Sequence, residues 1–249
     1  MKTAQIFATP FEAVPGRVLL INDGLASGGA ERQIVNTLTG LRKKEGVDAS
    51  FLGERLACVK GLDFFRGDLE QAGISVETAL WRSVNARDGL PSVAPEVADA
   101  LCRLPAQAVE SILNLTDEFR KRRPSVVHAW QDSTSVHAGI AAIICGVPRI
   151  VLSARNISPT GTPRFRRYLL PAYNALAKLP NVTFTNNSDA GAQSYANWLG
   201  LPRNRFVVLK NGVDIAGLDA EPPYSYDQLG IRDGAPVVCG IFRLTPTKR

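Results

Sequence analysis

The chain is short of the residues that build metal and disulfide frameworks. Its four cysteines, Cys58, Cys102, Cys145 and Cys239, are widely scattered with no CxxC pair, and it has only two histidines. That spacing indicates neither a zinc site nor a disulfide scaffold and leaves buried, reduced thiols in a cytosol as the reading. Long apolar runs are missing too. The N-terminus carries Lys2 without an apolar core long enough for a signal peptide, and the greasiest stretch, Ile140 to Val147, is too short to span a bilayer. The loop after the first apolar run lacks the spacing of a GxGxxG fingerprint and the GK[ST] of a P-loop, which disfavours nicotinamide oxidoreductases and nucleoside triphosphatases. Disorder is excluded as well, since 45% of the 249 residues are hydrophobic and 21% charged.

What is present is an ordinary globular chain, longer than one average domain and shorter than two. The expectation is one complete domain plus a stub. A net charge of +6 comes partly from clusters at Arg42-Lys43-Lys44, Arg120-Lys121-Arg122-Arg123 and Arg164-Arg166-Arg167. Solvated helix ends account for most such clusters, and a basic rim against an anionic membrane is the minority reading. The chain is expected to be cytoplasmic, or peripheral on an inner membrane.

Organisation follows from hydrophobic periodicity. Val18-Leu19-Leu20-Ile21 is a continuous apolar run, as in a strand buried on both faces of a parallel sheet. From Ala30 to Glu45, Ala30, Ile34, Val35, Leu38 and Leu41 fall at helical spacing, with Gly46 as the expected C-cap. The strand-then-helix alternation recurs at Val126 to Ala129 with a helix from Ser133, at Arg149 to Ser153 with a helix from Pro163 kinked at Pro171, and at Val182 to Thr185 with a helix from Ser188. An α/β, Rossmann-like, doubly wound parallel sheet is therefore predicted, with its ligand crevice beyond the carboxyl ends of the strands. Trp81 to Ala108, with Pro91, Pro95 and Pro105, resists assignment, and 210–236 reads as an interdomain linker. Residues 1–16 form an extension, 17–209 the main domain, and 237–249 a strand and turn that begin a further domain.

Three strand ends carry candidate chemistry. Gly28 and Gly29 stand immediately before the first helix, where bare backbone and a helix N-terminus can receive an anion, although a tight turn that simply needs glycine explains them about as well. His128-Ala129-Trp130-Gln131-Asp132-Ser133 puts polar and aromatic groups at a strand end, a composition that suits a sugar. The alternative is that Asp132 or Ser133 only caps the next helix while His128 and Trp130 pack in the core. His137, inside that helix, reads as structural. Arg155 and Asn156 end the next strand, and Arg155 can pair with an anionic substrate or with a local carboxylate.

Ser27-Gly28-Gly29-Ala30-Glu31-Arg32, Val126-Val127-His128-Ala129, Gly146-Val147-Pro148, Asn187-Ser188, Lys210-Asn211-Gly212-Val213-Asp214 and Arg243-Leu244-Thr245-Pro246-Thr247-Lys248 occur in an order that resembles the family 4 retaining glycosyltransferases. The resemblance covers nearly the whole chain. It implies a GT-B architecture of two Rossmann-like domains, with the acceptor bound mainly by the first and the nucleotide sugar mainly by the second. It further implies that Gly28 and Gly29 lie against the donor diphosphate, that Arg243 and Lys248 neutralise the leaving diphosphate, and that no metal or other cofactor is needed, in keeping with the absence of a D-x-D motif.

The chain departs from the family at Trp130, where many members carry a histidine that touches the donor sugar, so His128, Gln131 or Asp132 is left to take that role. The family's paired glutamates are not found before Arg249, so this chain alone is expected to be an inactive, acceptor-side fragment. The function implied is hexosyl transfer with retention to a glycan or lipid-linked acceptor in bacterial polysaccharide assembly, with no nucleic-acid partner. A non-catalytic domain that binds a glycan or a partner protein is the alternative.

Overall fold

The computed structural model describes residues 11–57, 59–79, 101–162, 165–213, 215, 230–232 and 234–240, which fall into two compact units, Met1–Gly212 and Val213–Arg249. In the first unit β1 (Val14–Asn22) leads into α1 (Gly29–Arg42), β2 (Asp48–Gly53), α2 (Arg66–Gln71) and β3 (Val76–Thr78). After these come α3 (Ala106–Arg122), β4 (Pro124–Trp130), α4 (Asp132–Cys145), β5 (Arg149–Ala154), α5 (Leu169–Leu176), β6 (Val182–Asn186), α6 (Asp189–Leu199) and β7 (Phe206–Val208). Among the described residues the seven strands form one sheet in the order β3-β2-β1-β4-β5-β6-β7, and each neighbouring pair is parallel.

The predicted doubly wound sheet is thus the observed fold, and strand alternation divides its core. Leu19, Ile21, Val127, Ala129, Ile150 and Leu152 face the layer made by α3 to α6, while Leu20, Phe51 and Trp130 face Ile34 and Leu38 of α1 and Leu69 of α2. The register pairs Leu20 with His128 and Leu19 with Val127, so His128 and Trp130 lie on the α1 side. Ile34 and Leu38 are one helical turn apart and both fully buried, which fixes α1 against that face.

Several expected boundaries move, each for a local reason. β1 begins at Val14, ahead of the expected domain start at 17, because Gly16 takes a φ of +76° in an irregular stretch that still lets Val14 align with Pro124. α1 ends at Arg42, so Gly46, at φ +73°, shapes the turn into β2 rather than capping the helix. The helix expected from Pro163 starts at Leu169; Pro171 then lies in its first turn, where a missing N–H breaks no helical bond, and no kink is required. The helix expected from Ser188 begins there as α6, and Ser188 caps it, its Oγ accepting the Gly191 N–H at 3.1 Å. Of the unassigned stretch, 81–100 lies outside the described residues, Leu101 is buried, and α3 begins at Ala106.

The basic cluster at 120–123 is taken up locally. Lys121 reaches Glu118 at 3.2 Å, Arg122 pairs with Glu118 and Glu77, and Arg123 pairs with Glu12, next to the amino end of β4. No described helix is long and apolar enough to cross a membrane. In the second unit residues 235–240 form no strand, and Val238 is 99% exposed. Residues 237–240, the described part of the strand and turn expected over 237–249, thus form no strand. Arg243 and Lys248 lie outside the described residues.

A side chain at Gly16 would require a left-handed backbone and would collide with the carbonyl oxygen of Gly46. Gly16→Ala is predicted to lower stability by about 2 kcal/mol or more, read as a lower urea midpoint with an unchanged m-value.

Candidate functional site

β1 and β4 are sheet neighbours whose crossovers leave in opposite directions, so their carboxyl ends open a crevice. Asn22 ends β1. Its side chain is fully buried, and its Nδ2 donates to the Gly24 carbonyl at 2.8 Å and to Glu31 Oε1 at 3.4 Å. Gln131 follows β4 with a φ of +68°, a left-handed backbone uncommon outside glycine, and its Nε2 donates to the same Glu31 oxygen at 3.2 Å. Glu31, in the first turn of α1, thereby ties the two strand ends together.

The two glycines play different parts. Gly28 is the N-cap of α1 and its carbonyl accepts the Arg32 N–H at 3.0 Å, while the Glu31 carboxylate folds over the place where a Cβ would stand. Gly29 is exposed, and a Cβ there would meet nothing within 4 Å. The fold itself therefore does not demand glycine at 29. The first turn of a 14-residue helix presents its N–H groups beside this open position.

On the β4–β5 side, the Arg155 guanidinium carbon lies 4.2 Å from the centre of the Trp130 ring, and Nη2 donates to Asn211 Oδ1 at 2.6 Å. Burial draws the Arg155 pKa down to about 10, with the Glu31 carboxylate acting in the opposite sense. Trp130 is only 2% exposed. His128 Nε2 lies 2.7 Å from Ser153 Oγ, which in turn lies 2.5 Å from Thr185 Oγ1, so one polar row crosses β4, β5 and β6. Burial, aided by the Arg155 cation, lowers the His128 pKa to about 4. The imidazole is neutral at physiological pH.

Asp132 is differently employed. Its Oδ1 accepts the Tyr195 hydroxyl at 2.6 Å and the Tyr173 hydroxyl at 3.2 Å, which anchors the start of α4 to α6 and α5. Asn156 is exposed, and its carbonyl accepts Asn186 Nδ2 at 3.0 Å. Gln131, Trp130 and Arg155 are thus brought to the crevice with Gly28 and Gly29, His128 lies along the sheet face beneath Arg155, and Asp132 serves the packing of helices.

Sequence reasoning missed three contributors. Glu31 was visible as an acidic residue in the first turn after two glycines, a position where the positive end of the helix dipole favours a carboxylate. Gln33 exchanges a pair of 2.8 Å hydrogen bonds with the Gly212 backbone, and Leu209 N–H reaches the Asn186 carbonyl at 2.9 Å. With the Arg155–Asn211 bond, these contacts carry residues 209–212 across the carboxyl edge from β6 to α1. No local pattern announces such a strap.

A buried polar cluster lies on the opposite face. Ser111 Oγ donates to Glu54 Oε2 at 2.6 Å, and His137 has Nδ1 at 3.0 Å from Ser111 Oγ and Nε2 at 2.9 Å from Tyr168 Oη. Burial alone would raise the Glu54 pKa, but hydrogen bonds and charge from His137, with Ser111 and Thr134, hold it below the usual carboxylate value. His137 is structural, as its place in the helix suggests.

Comparison with known proteins places this geometry. The profile of Glycosyltransferase Family 4 matches residues 27–216. A Salmonella typhi protein, the Vi polysaccharide biosynthesis protein VipC/TviE, is 31% identical over 250 residues, which cover 94% of this chain and 43% of that protein. Among solved structures, a glycosyltransferase from Rickettsia africae superposes with a TM-score of 0.60 at 14% identity, over 89% of this chain and 51% of that one. Anabaena HepE in complex with UDP gives 0.56 at 18% identity, over 86% and 50%. The chain therefore spans about half the length of the relatives it matches.

An ordinary unfolded histidine titrates near 6.5 and the folded His128 near 4, so below pH 6.5 the unfolded chain takes up a proton that the folded chain does not. Stability contributed by the neutral ring is complete above pH 6.5 and is lost as pH falls toward 4. Urea unfolding of wild type is predicted to weaken more steeply across that window than unfolding of His128→Gln, and parallel profiles would contradict the burial argument.

Proposed function

We propose that this chain, which belongs to glycosyltransferase family 4, supplies the acceptor-side lobe of a nucleotide-sugar-dependent hexosyltransferase. The observation that carries the reading is the open Gly29 at the start of α1, placed at the crevice where β1 and β4 part. A diphosphate there would meet backbone N–H groups and the positive end of a helix dipole, with no side chain on Gly29 itself to keep it away. The UDP bound by HepE and the polysaccharide pathway named for VipC/TviE favour a UDP-sugar donor and a glycan or lipid-linked acceptor in bacterial polysaccharide assembly.

In this mechanism the two lobes hold the donor between them. Gly28 and Gly29 take one side of the diphosphate, and Arg243 and Lys248 neutralise the charge that grows on it as the glycosidic bond breaks, in place of a metal. The acceptor hydroxyl attacks on the face the diphosphate leaves, so configuration is retained without a protein nucleophile. Trp130 and Gln131 border the sugar, with Asn156 at the rim. Positioning by one lobe alone would not assemble a transition state that needs both, so residues 1–249 are proposed to be inactive by themselves. Work on the cytoplasmic side, with peripheral membrane contact through the acceptor, completes the reading.

With a donor lobe present, Gly29→Val is predicted to abolish most sugar transfer while the thermal midpoint changes little, because the position is open in the fold. Unchanged turnover would remove the loop from the site. Lys248→Ala is predicted to lower kcat by roughly 10² to 10³, the scale for losing one donor that stabilises developing charge. A loss of less than about tenfold would count against its role.

A further inference from the structure

We infer that Arg155, stacked on Trp130, is a specificity-determining residue that binds an oxyanion of the substrate. The inference rests on the crevice being the sugar-nucleotide site and adds a side-chain cation to the backbone donors already assigned there.

Three observations point to a missing acceptor. The guanidinium is half-buried against the Trp130 ring, and among the described residues no carboxylate lies within salt-bridge distance of it. One arm is given to the neutral amide oxygen of Asn211, while the buried Arg155 Nε has no hydrogen-bond partner among the described residues. The same is true of Trp130 Nε1, whose ring is 2% exposed. Two buried N–H donors of one stack, one of them on a dehydrated cation, thus lack an acceptor among the described residues, and native structures rarely leave such groups unmatched.

The local carboxylate, Glu31, is otherwise engaged. Glu31 Oε1 accepts from Asn22 and Gln131, and Oε2 folds over Gly28. Glu31 supports the Arg155 charge through space without bonding to it. The planar fork of arginine, held flat by the indole, matches a phosphate or carboxylate, whereas uncharged sugar hydroxyls would not offset dehydration of a full charge. The oxyanion has two sources, the donor diphosphate or the carboxylate of an acidic sugar.

The test titrates the 249-residue chain at low ionic strength with inorganic pyrophosphate, with glucuronate and with glucose, following heat and tryptophan fluorescence. At least one anion is expected to bind and perturb the fluorescence, while glucose does not. Arg155→Gln should weaken that binding on the order of tenfold, the loss of one charge-assisted pair. Arg155→Lys, which keeps the charge and the stem but not the fork, should bind with intermediate affinity and keeps the test decisive if the glutamine variant fails to fold. Trp130→Phe should remove the fluorescence change while the heat of binding persists. A pyrophosphate response assigns the diphosphate, and a response to glucuronate alone assigns an acidic sugar. Equal affinity in wild type and Arg155→Gln, or binding of neither anion, overturns the inference. Should Gly29→Val lose pyrophosphate binding while Arg155→Gln does not, the crevice remains a phosphate site and Arg155 has no part in it.

Discussion

Everything in this lobe depends on β1 and β4 lying side by side and parallel while their crossovers depart in opposite directions. The order β3-β2-β1-β4-β5-β6-β7 leaves α1 and α2 on one face and α3 to α6 on the other, so no described helix closes the edge between Asn22 and Trp130. Backbone donors at the start of α1 and side chains at the end of β4 then face a common opening. Burial of Leu19, Leu20 and Ile21 at 1% or less holds the central strand, and with it the opening, in place.

Around that opening the protein accepts several costs that a purely structural design would avoid. Gln131 keeps a left-handed backbone, Arg155 is drawn out of water, and Trp130 buries an indole N–H without a partner among the described residues. Departures of this kind gather where a ligand supplies the missing partner. Two neighbours are satisfied in the ordinary way, Asp132 between two tyrosine hydroxyls and His128 on Ser153. The contrast separates groups that hold the site from groups left open in it.

Much of this was legible in the sequence because it rests on local pattern. The apolar run Val18 to Ile21, the spacing of Ile34 and Leu38, and Ser188 ahead of α6 each announce an element through burial or capping chemistry. β2 and β3 were not anticipated: Asp48-Ala49-Ser50-Phe51-Leu52-Gly53 is short and mixed, and β3 has only three residues, so tertiary pairing rather than propensity makes them strands. Pro171 misled because its effect depends on where the helix begins, which periodicity does not fix. The strap at 209–212 and the bond from Gln33 to Gly212 span 179 residues of sequence, beyond the reach of any local rule. At the site, the glycines and Arg155 were visible as chemistry, but the tyrosine partners of Asp132 were not, because α5 and α6 deliver them from far along the chain.

The central claim is that the crevice at the start of α1 receives the diphosphate of a nucleotide sugar, and amide chemical shifts recorded during a UDP titration test it most directly. The account predicts that the Gly28, Gly29 and Ala30 N–H resonances move together and saturably, with Gln131 following. Saturable shifts confined to other parts of the molecule, or none at those four residues, would contradict it.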